Sequence, residues 1–535
     1  MALKRTVLLA IFIAGASAST PAAAKWMVGP PLAHYARVHH SIGTSSATAQ
    51  AYFDQGLTLL YAFSRSAARR AFQNAAAADP RLAMAYWGVA LSFGSNINEA
   101  QDAASERTAY STVQRALALS RGTSPSERAY IKALAARFSS ASHPDFNALG
   151  IAYHDAMRAL TQRYPQDLDA ATLYAESGMD LRPWDLYASD GAPRKGTAEI
   201  LATLESVLSR DSGHIGGNHF YIHATEASLR PERALASARR LASLHFEPAA
   251  AHLTHMPAHT FARTGYYHAA VQSNSKATQR DRMYLAGEGH SDREASMYYD
   301  HNLTFLAFAA EMEGNFAAAR ETLARLRSDG AQVPALFVLL RFERWNDLLA
   351  LSQPKPDPAE PMRVVMWHFG RGMAFAATGN PRAANRERKA MYAIGSRLRV
   401  PSLAGWNNSS DALVGVTDNV LAAKIAGARR DYHSALALLR AAVRKQDELI
   451  YIEPPDWYYP VRESLGGMLL RQGRFAEAAQ VFRDDLTRNP RNPRSLFGLA
   501  KALAASGQAN DARRVQLQFE QAWKHADIRL TPQAL

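Results

Sequence analysis

The chain has 535 residues, a formal charge of +13 and no cysteine, with 47% hydrophobic and 20% charged residues. That length exceeds what one hydrophobic core supports, so several domains or a repeat array are expected, and the ordinary composition excludes global disorder. Without cysteine there are no disulfides, thiolate metal sites, cysteine nucleophiles or lipidated N-terminal cysteine; stability must come from packing, or from packing with a metal held by His and carboxylate.

In chain order, Lys4 and Arg5 form a short basic start, and Thr6 to Ala14 is an apolar stretch too short to span a bilayer. Small residues follow, with cleavage positions after Ala18 or Ala24, so residues 1–24 read as a signal peptide. A retained anchor is the alternative. No later run is long and apolar enough to span a membrane. An exported chain without cysteine suggests a bacterial periplasm. The basic charge suits anionic envelope polymers or acidic partners. The arginines are scattered and no dense basic run is interleaved with aromatics, so nucleic acid is not expected.

From about residue 48, small and apolar residues recur at fixed offsets. Between Tyr52 and Pro80 they are Gly56, Leu59, Ala68, Phe72 and Ala75. Gly56 permits close approach of two helices, Ala68 keeps the crossing tight, Phe72 fills the core and Pro80 ends the unit. Near the C-terminus Gly466, Leu469, Gly473, Ala478, Phe482 and Pro490 hold matching offsets, continued by Ala500, Gly507 and Ala512. Between them come Ala258, Phe261, Gly265, Ala270 and Ala277; Ala307, Ala310, Gly314 and Ala319; Gly372, Phe375, Gly379 and Ala384; and Ala423, Ala435 and Ala442. Ile222 and Ala234 fit loosely.

This spacing resembles the tetratricopeptide repeat, a helix–turn–helix unit of about 34 residues. The resemblance implies an all-α chain, a right-handed α-solenoid of tetratricopeptide-like helix pairs. Its concave groove would bind an extended peptide or a partner helix. Residues 25–350 are expected to form an N-terminal solenoid with a histidine-rich middle, and 362–535 a C-terminal one. Between them, Pro354, Pro356, Pro358 and Pro361 make 351–361 a linker or a surface loop. Further loops are expected from Arg182 to Gly196 and from Ala286 to Ser291.

Ten of the 18 histidines lie between His214 and His301, where an even scatter would put about three. His219, His223 and Glu226 fall at i, i+4 and i+7, one face of a helix. His255 and His259 repeat the i, i+4 relation. Two imidazoles one turn apart can share a metal ion. The family register turns His219, His223 and Glu226 toward the concave side around Ile222. It does the same for His255 and His259 around Ala258, with His252 beside them. By the same rule His301, Glu311, Asp169, Glu176 and Glu463 are groove-lining candidates. Tyr298, Tyr299 and Asp300 flank His301 as outer-shell partners.

The expected site is one divalent transition metal (zinc, copper, iron or manganese) on His219, His223, Glu226, His255 and His259, with Glu226 as ligand or general base. Pro257 is expected to open its helix, leaving His255 at a cap. The alternative is that these histidines are hydrogen-bonded packing residues or a polar groove lining.

Trp184 in LRPWDLY and Trp457 in EPPDWYYP are stacking candidates, though a plug between loop and helix is favoured for both. Asn96 and Asn98 are helix-capping or cleft-lining residues. There is no phosphate-binding glycine loop, no Gly-x-Ser-x-Gly elbow and no His-Glu-x-x-His motif. Two functions remain: an exported scaffold holding a protein, peptide or small molecule in its groove, or a metal-dependent enzyme or metal carrier centred on the cluster from His219 to His259.

Overall fold

The computed structural model describes residues 35–101, 103–287, 292–326, 332–357, 360–398 and 408–535. The expected signal peptide, residues 1–24, and most of the loop expected at 286–291 lie outside them. Among the described residues the chain is helical without a strand, apart from isolated bridges at Asn96–Glu99 and Tyr187–Pro193. No described helix is long and apolar enough to cross a membrane.

Helices come in pairs joined by short turns, each pair packing on the next. In the first pair, Ala47–Tyr61 and Arg65–Ala78, Ser46 caps the leading helix by accepting from the Ala49 amide. Phe72 on the second helix is fully buried between two glycines. A Cβ would come within 2.7 Å of its ring at Gly56 and within 2.4 Å at Gly88. Any side chain there would force the helices apart, so the glycines set the crossing distance. Phe482 repeats the arrangement between Gly466 and Gly498, at 2.5 and 2.2 Å. Ala68, Ala258, Ala270, Ala307, Ala384, Ala435 and Ala478 are all buried at their crossings. The result is an α-solenoid of helix–turn–helix pairs.

The helices Gln332–Arg341 and Trp345–Ala350, before the proline-rich segment, pack against Met362–Ala377 after it. No helix forms between Asp180 and Thr197, as expected.

The spiral folds back on itself. The Arg65 and Ser66 amides donate to Glu294 at 2.9 and 3.0 Å. The Phe316 and Ala317 amides donate to Asp527 at 2.8 and 2.7 Å. Gly265, at φ +76°, lies so close to the chain that a Cβ would meet the Pro490 carbonyl at 1.8 Å. These contacts join repeats far apart in sequence. Asp169, Glu176, Glu311 and Glu463, expected to line the groove, are buried. Asp169 accepts from Tyr61 Oη at 2.7 Å and His40 Nδ1 at 2.8 Å, and its other oxygen contact is His214 Nε2 at 3.2 Å. Burial raises its pKa, but the His214 and His40 hydrogen bonds outweigh that and hold it well below the carboxylate range. Glu463 pairs with Arg341 and accepts from Asn492 Nδ2 at 2.7 Å. Both Glu311 oxygens are buried without a hydrogen-bond partner, and burial pushes its carboxyl up to about 8.

Candidate metal centre

The helix Ile215–Glu226 is buried on every side. His214 caps it, Nδ1 accepting from the Gly217 amide at 3.0 Å. Gly216 lets it lie against Tyr61, whose ring would be 2.7 Å from a Cβ there. That approach puts His219 Nδ1 2.6 Å from the Tyr61 carbonyl. A carbonyl only accepts, so Nδ1 carries the hydrogen and Nε2 presents a lone pair. One turn on, His223 Nδ1 lies 2.9 Å from Glu226 Oε1, which selects the same tautomer.

Pro257 interrupts the next helix because it lacks an N–H. One segment ends as Ala251–His255 and the other starts as Pro257–Arg263. Met256 between them keeps right-handed helical angles, so the break is a kink and the one-turn spacing survives. His255 Nε2 lies 2.7 Å from His259 Nε2 and 3.2 Å from His301 Nε2, the latter on the helix Arg293–Glu313. His255 Nδ1 is held by Asn274 Oδ1 at 2.5 Å and His259 Nδ1 by Glu226 Oε2 at 2.6 Å. His252 faces the first pair, its ring centroid 5.0 Å from His219 and 6.1 Å from His223.

The expected residues therefore converge. Glu226 sits between the two histidine pairs, with one oxygen on each. His252 and His301, expected only as groove lining, join the cluster. The possible ligand atoms of His219, His223 and His252 lie within 4.8 Å of one another, as do those of His255, His259 and His301, and those of His223, Glu226 and His259.

Burial lowers the pKa of His219, His223, His252 and His255, and neighbouring imidazoles lower it further. The same causes bring His301 down to about 3. These rings are neutral, the form that binds a metal. His259 differs. Burial lowers it too, but Glu453 and Glu226 outweigh burial and hold it up at about 10. Glu453 Oε2 lies 2.5 Å from His259 Nδ1. Arg263 donates to the Glu226 carbonyl at 2.8 Å. In the metal-free chain the His259–His255 contact carries a proton, which an ion bound there would displace.

His219 Nε2, His223 Nε2 and both ring nitrogens of His252 are buried with no hydrogen-bond partner. Buried polar atoms are nearly always paired. Converging imidazole lone pairs, with the His219 and His223 tautomers fixed from behind, could hold a transition-metal ion.

A cavity of about 540 Å³ opens onto His223, His252, His259 and His301. Trp184 forms part of its wall, held in the left-handed region at φ +59°, which is disfavoured for a bulky residue. Its indole meets the His223 ring edge-on at 5.9 Å. Asn98 also lines the cavity and donates to Tyr298 Oη at 3.2 Å. Trp457 instead packs into the seam against Phe337 and Phe369, as expected for a plug.

A profile of the family described as Tetratricopeptide repeat matches residues 469–515. The match covers helix pairs near the C-terminus, and the rest of the described chain continues as helix–turn–helix pairs. No curated protein matches it. The crystal structure of yeast Tom70 is similar at TM-score 0.31 and 12% identity, covering 90% of this chain and 92% of that one. A structure of Naa15/Naa10 bound to HypK-THB is similar at TM-score 0.23 and 10% identity, covering 89% and 70%. The helices that carry the histidines are consecutive leading helices of the array, Ile215–Glu226, the kinked Ala251–Arg263 and Arg293–Glu313.

Sequence reasoning missed Glu453, Asn274, Tyr61 and His40. Glu453 reaches the cluster only because the array folds back, and it is far from the histidines in sequence. Nothing in local spacing marks it.

Proposed function

We propose that this tetratricopeptide solenoid is a metalloprotein. In this reading the inward histidines hold a divalent first-row transition ion, and the adjoining cavity admits a small molecule to it. The observation that carries the reading is the set of buried, unpartnered ring nitrogens on His219, His223 and His252. Neutral imidazoles suit zinc, copper or iron better than magnesium or calcium. The bound ion would act as a Lewis acid or activate water. Glu226 is positioned to orient His223 and His259 rather than to bind the ion, since each of its oxygens already accepts from a ring Nδ1. The small-molecule cavity favours a metal-dependent enzyme over simple storage.

The test is metal analysis of the purified full chain after growth in metal-replete medium. A retained stoichiometric ion, lost in His223→Ala without loss of helicity, supports the reading. An ion-free protein refutes it.

The partner-scaffold reading is supported by the repeat fold, and the cavity is where a peptide end would enter. A peptide that binds equally to His223→Ala and to the parent chain would favour it. Export is part of the proposal. Residues 1–24 would direct the chain to a bacterial periplasm, and N-terminal sequencing should find processing near Ala18 or Ala24. An intact Met1 would refute it.

A further inference from the structure

We infer that the cluster holds two transition-metal ions side by side. One sits on His219, His223 and His252, the other on His255, His259 and His301. The inference rests on the metal-binding reading above and specifies it.

The donors divide by geometry. Among the described residues, imidazoles form two groups of three with ligand atoms within 4.8 Å, not one group of six. Each triad has its own fixing contacts behind it. The Tyr61 carbonyl holds His219 and Asn274 holds His255, at 2.6 and 2.5 Å. Each also packs on its own phenylalanine. Phe63 lies 4.6, 5.8 and 5.5 Å from the His219, His223 and His252 rings. Phe305 lies 5.4, 5.3 and 6.3 Å from those of His255, His259 and His301.

Glu226 ties the triads together. Its Oε1 takes His223 of the first at 2.9 Å and its Oε2 takes His259 of the second at 2.6 Å. Across the boundary His223 faces His259 at 5.3 Å and His252 faces His255 at 5.6 Å, ring to ring. Ions seated in the two triads would approach the spacing of two-metal centres, about 3.5–4 Å.

Three protein ligands leave a coordination position open. One cavity touches His223 and His252 of one triad and His259 and His301 of the other. The open positions of both ions therefore face the same space. The ligand class that fits is a small oxygen-donor molecule spanning the two ions, such as hydroxide or a small oxyanion.

The test uses the full chain, stripped with chelator, reloaded with zinc(II) alone and dialysed before elemental analysis. Copper(II) loading followed by electron paramagnetic resonance reports on adjacency. Two zinc ions per chain are expected, falling to one in His252→Asn and one in His301→Gln. The doubly copper-loaded parent should give far less signal than two isolated copper(II) ions, through magnetic coupling. Both measurements on the parent chain stand even if a variant misfolds. Saturation of the parent at one ion overturns the two-ion inference and leaves the metal reading intact. Two full, uncoupled copper signals overturn the side-by-side arrangement. No retained ion of either metal overturns both.

Discussion

His255 Nε2 lies 2.7 Å from His259 Nε2. Two ring nitrogens at that distance need a hydrogen or a cation between them. His255→Ala removes one side of this contact and one ligand of its triad. We expect metal affinity to fall further than the roughly 10–100-fold that loss of an outer-shell partner costs. The helical circular dichroism spectrum should be nearly unchanged. Affinity measured by competition with a chelator dye checks this.

Glu226 is an outer-shell partner to histidines from both pairs, so Glu226→Gln is the complementary variant. The amide keeps the shape but offers one acceptor instead of two. Metal affinity should drop about 10–100-fold. An unchanged affinity would show that the two imidazoles hold their tautomers without it.

Metal removal should be visible in stability. An ion that binds only the folded chain adds about 2.7 kcal/mol at a hundredfold excess over its dissociation constant. Excess chelator should therefore lower the thermal midpoint of the loaded protein, and zinc should restore it. Identical melting curves with and without zinc would exclude a folded-state site.

Glu311 supplies part of the pH dependence, alongside Asp281 and Glu313, whose carboxyls burial raises to about 7. Its carboxyl is raised to about 8 by burial, above the unfolded value near 4.3. Between those values the folded chain binds the proton and the unfolded chain does not. Its contribution is fully present below the unfolded pKa and is lost as pH rises through about 8. Glu311→Gln should flatten the decline in stability from pH 5 to pH 9 by a few kcal/mol. Urea titrations across that range would detect it. A parallel decline in both proteins would mean that Glu311 does not control it.

The glycines that set the helix crossings give a packing test. Gly88→Ala drives a Cβ to 2.4 Å from the Phe72 ring, and Gly498→Ala drives one to 2.2 Å from Phe482. Each should cost about 1–3 kcal/mol. Gly122, with nothing within 4 Å of its Cβ position, should tolerate Ala with little change. Equal midpoints for all three variants would contradict the crossing argument.

The solenoid was legible because its signal is local. Gly56 and Phe72, or Gly466 and Phe482, stand at fixed offsets since each pair fills one crossing. The histidine pairs were legible for the same reason: His219 with His223, and His255 with His259, lie one helical turn apart. His252 and His301 were visible as inward-facing residues, but their place among the ligands depends on how neighbouring leading helices pack. Glu453, and the burial of Asp169, Glu176, Glu311 and Glu463, depend on contacts between distant repeats. The repeat pattern specifies neighbours and says nothing of how tightly successive turns wind.

The contacts of Asp527 with the Phe316 and Ala317 amides, and of Trp523 with Gly314, fasten the end of the array to its middle. An array whose units touch only adjacent units melts from its ends, one unit after another, as a one-dimensional chain. A fastened array has no free end there to fray. Melting of the last pair must first break the clasp, and once broken it strips cover from helices some two hundred residues upstream. The chain should therefore unfold as a single cooperative body, and a truncation at the C-terminus should be felt beside the histidines.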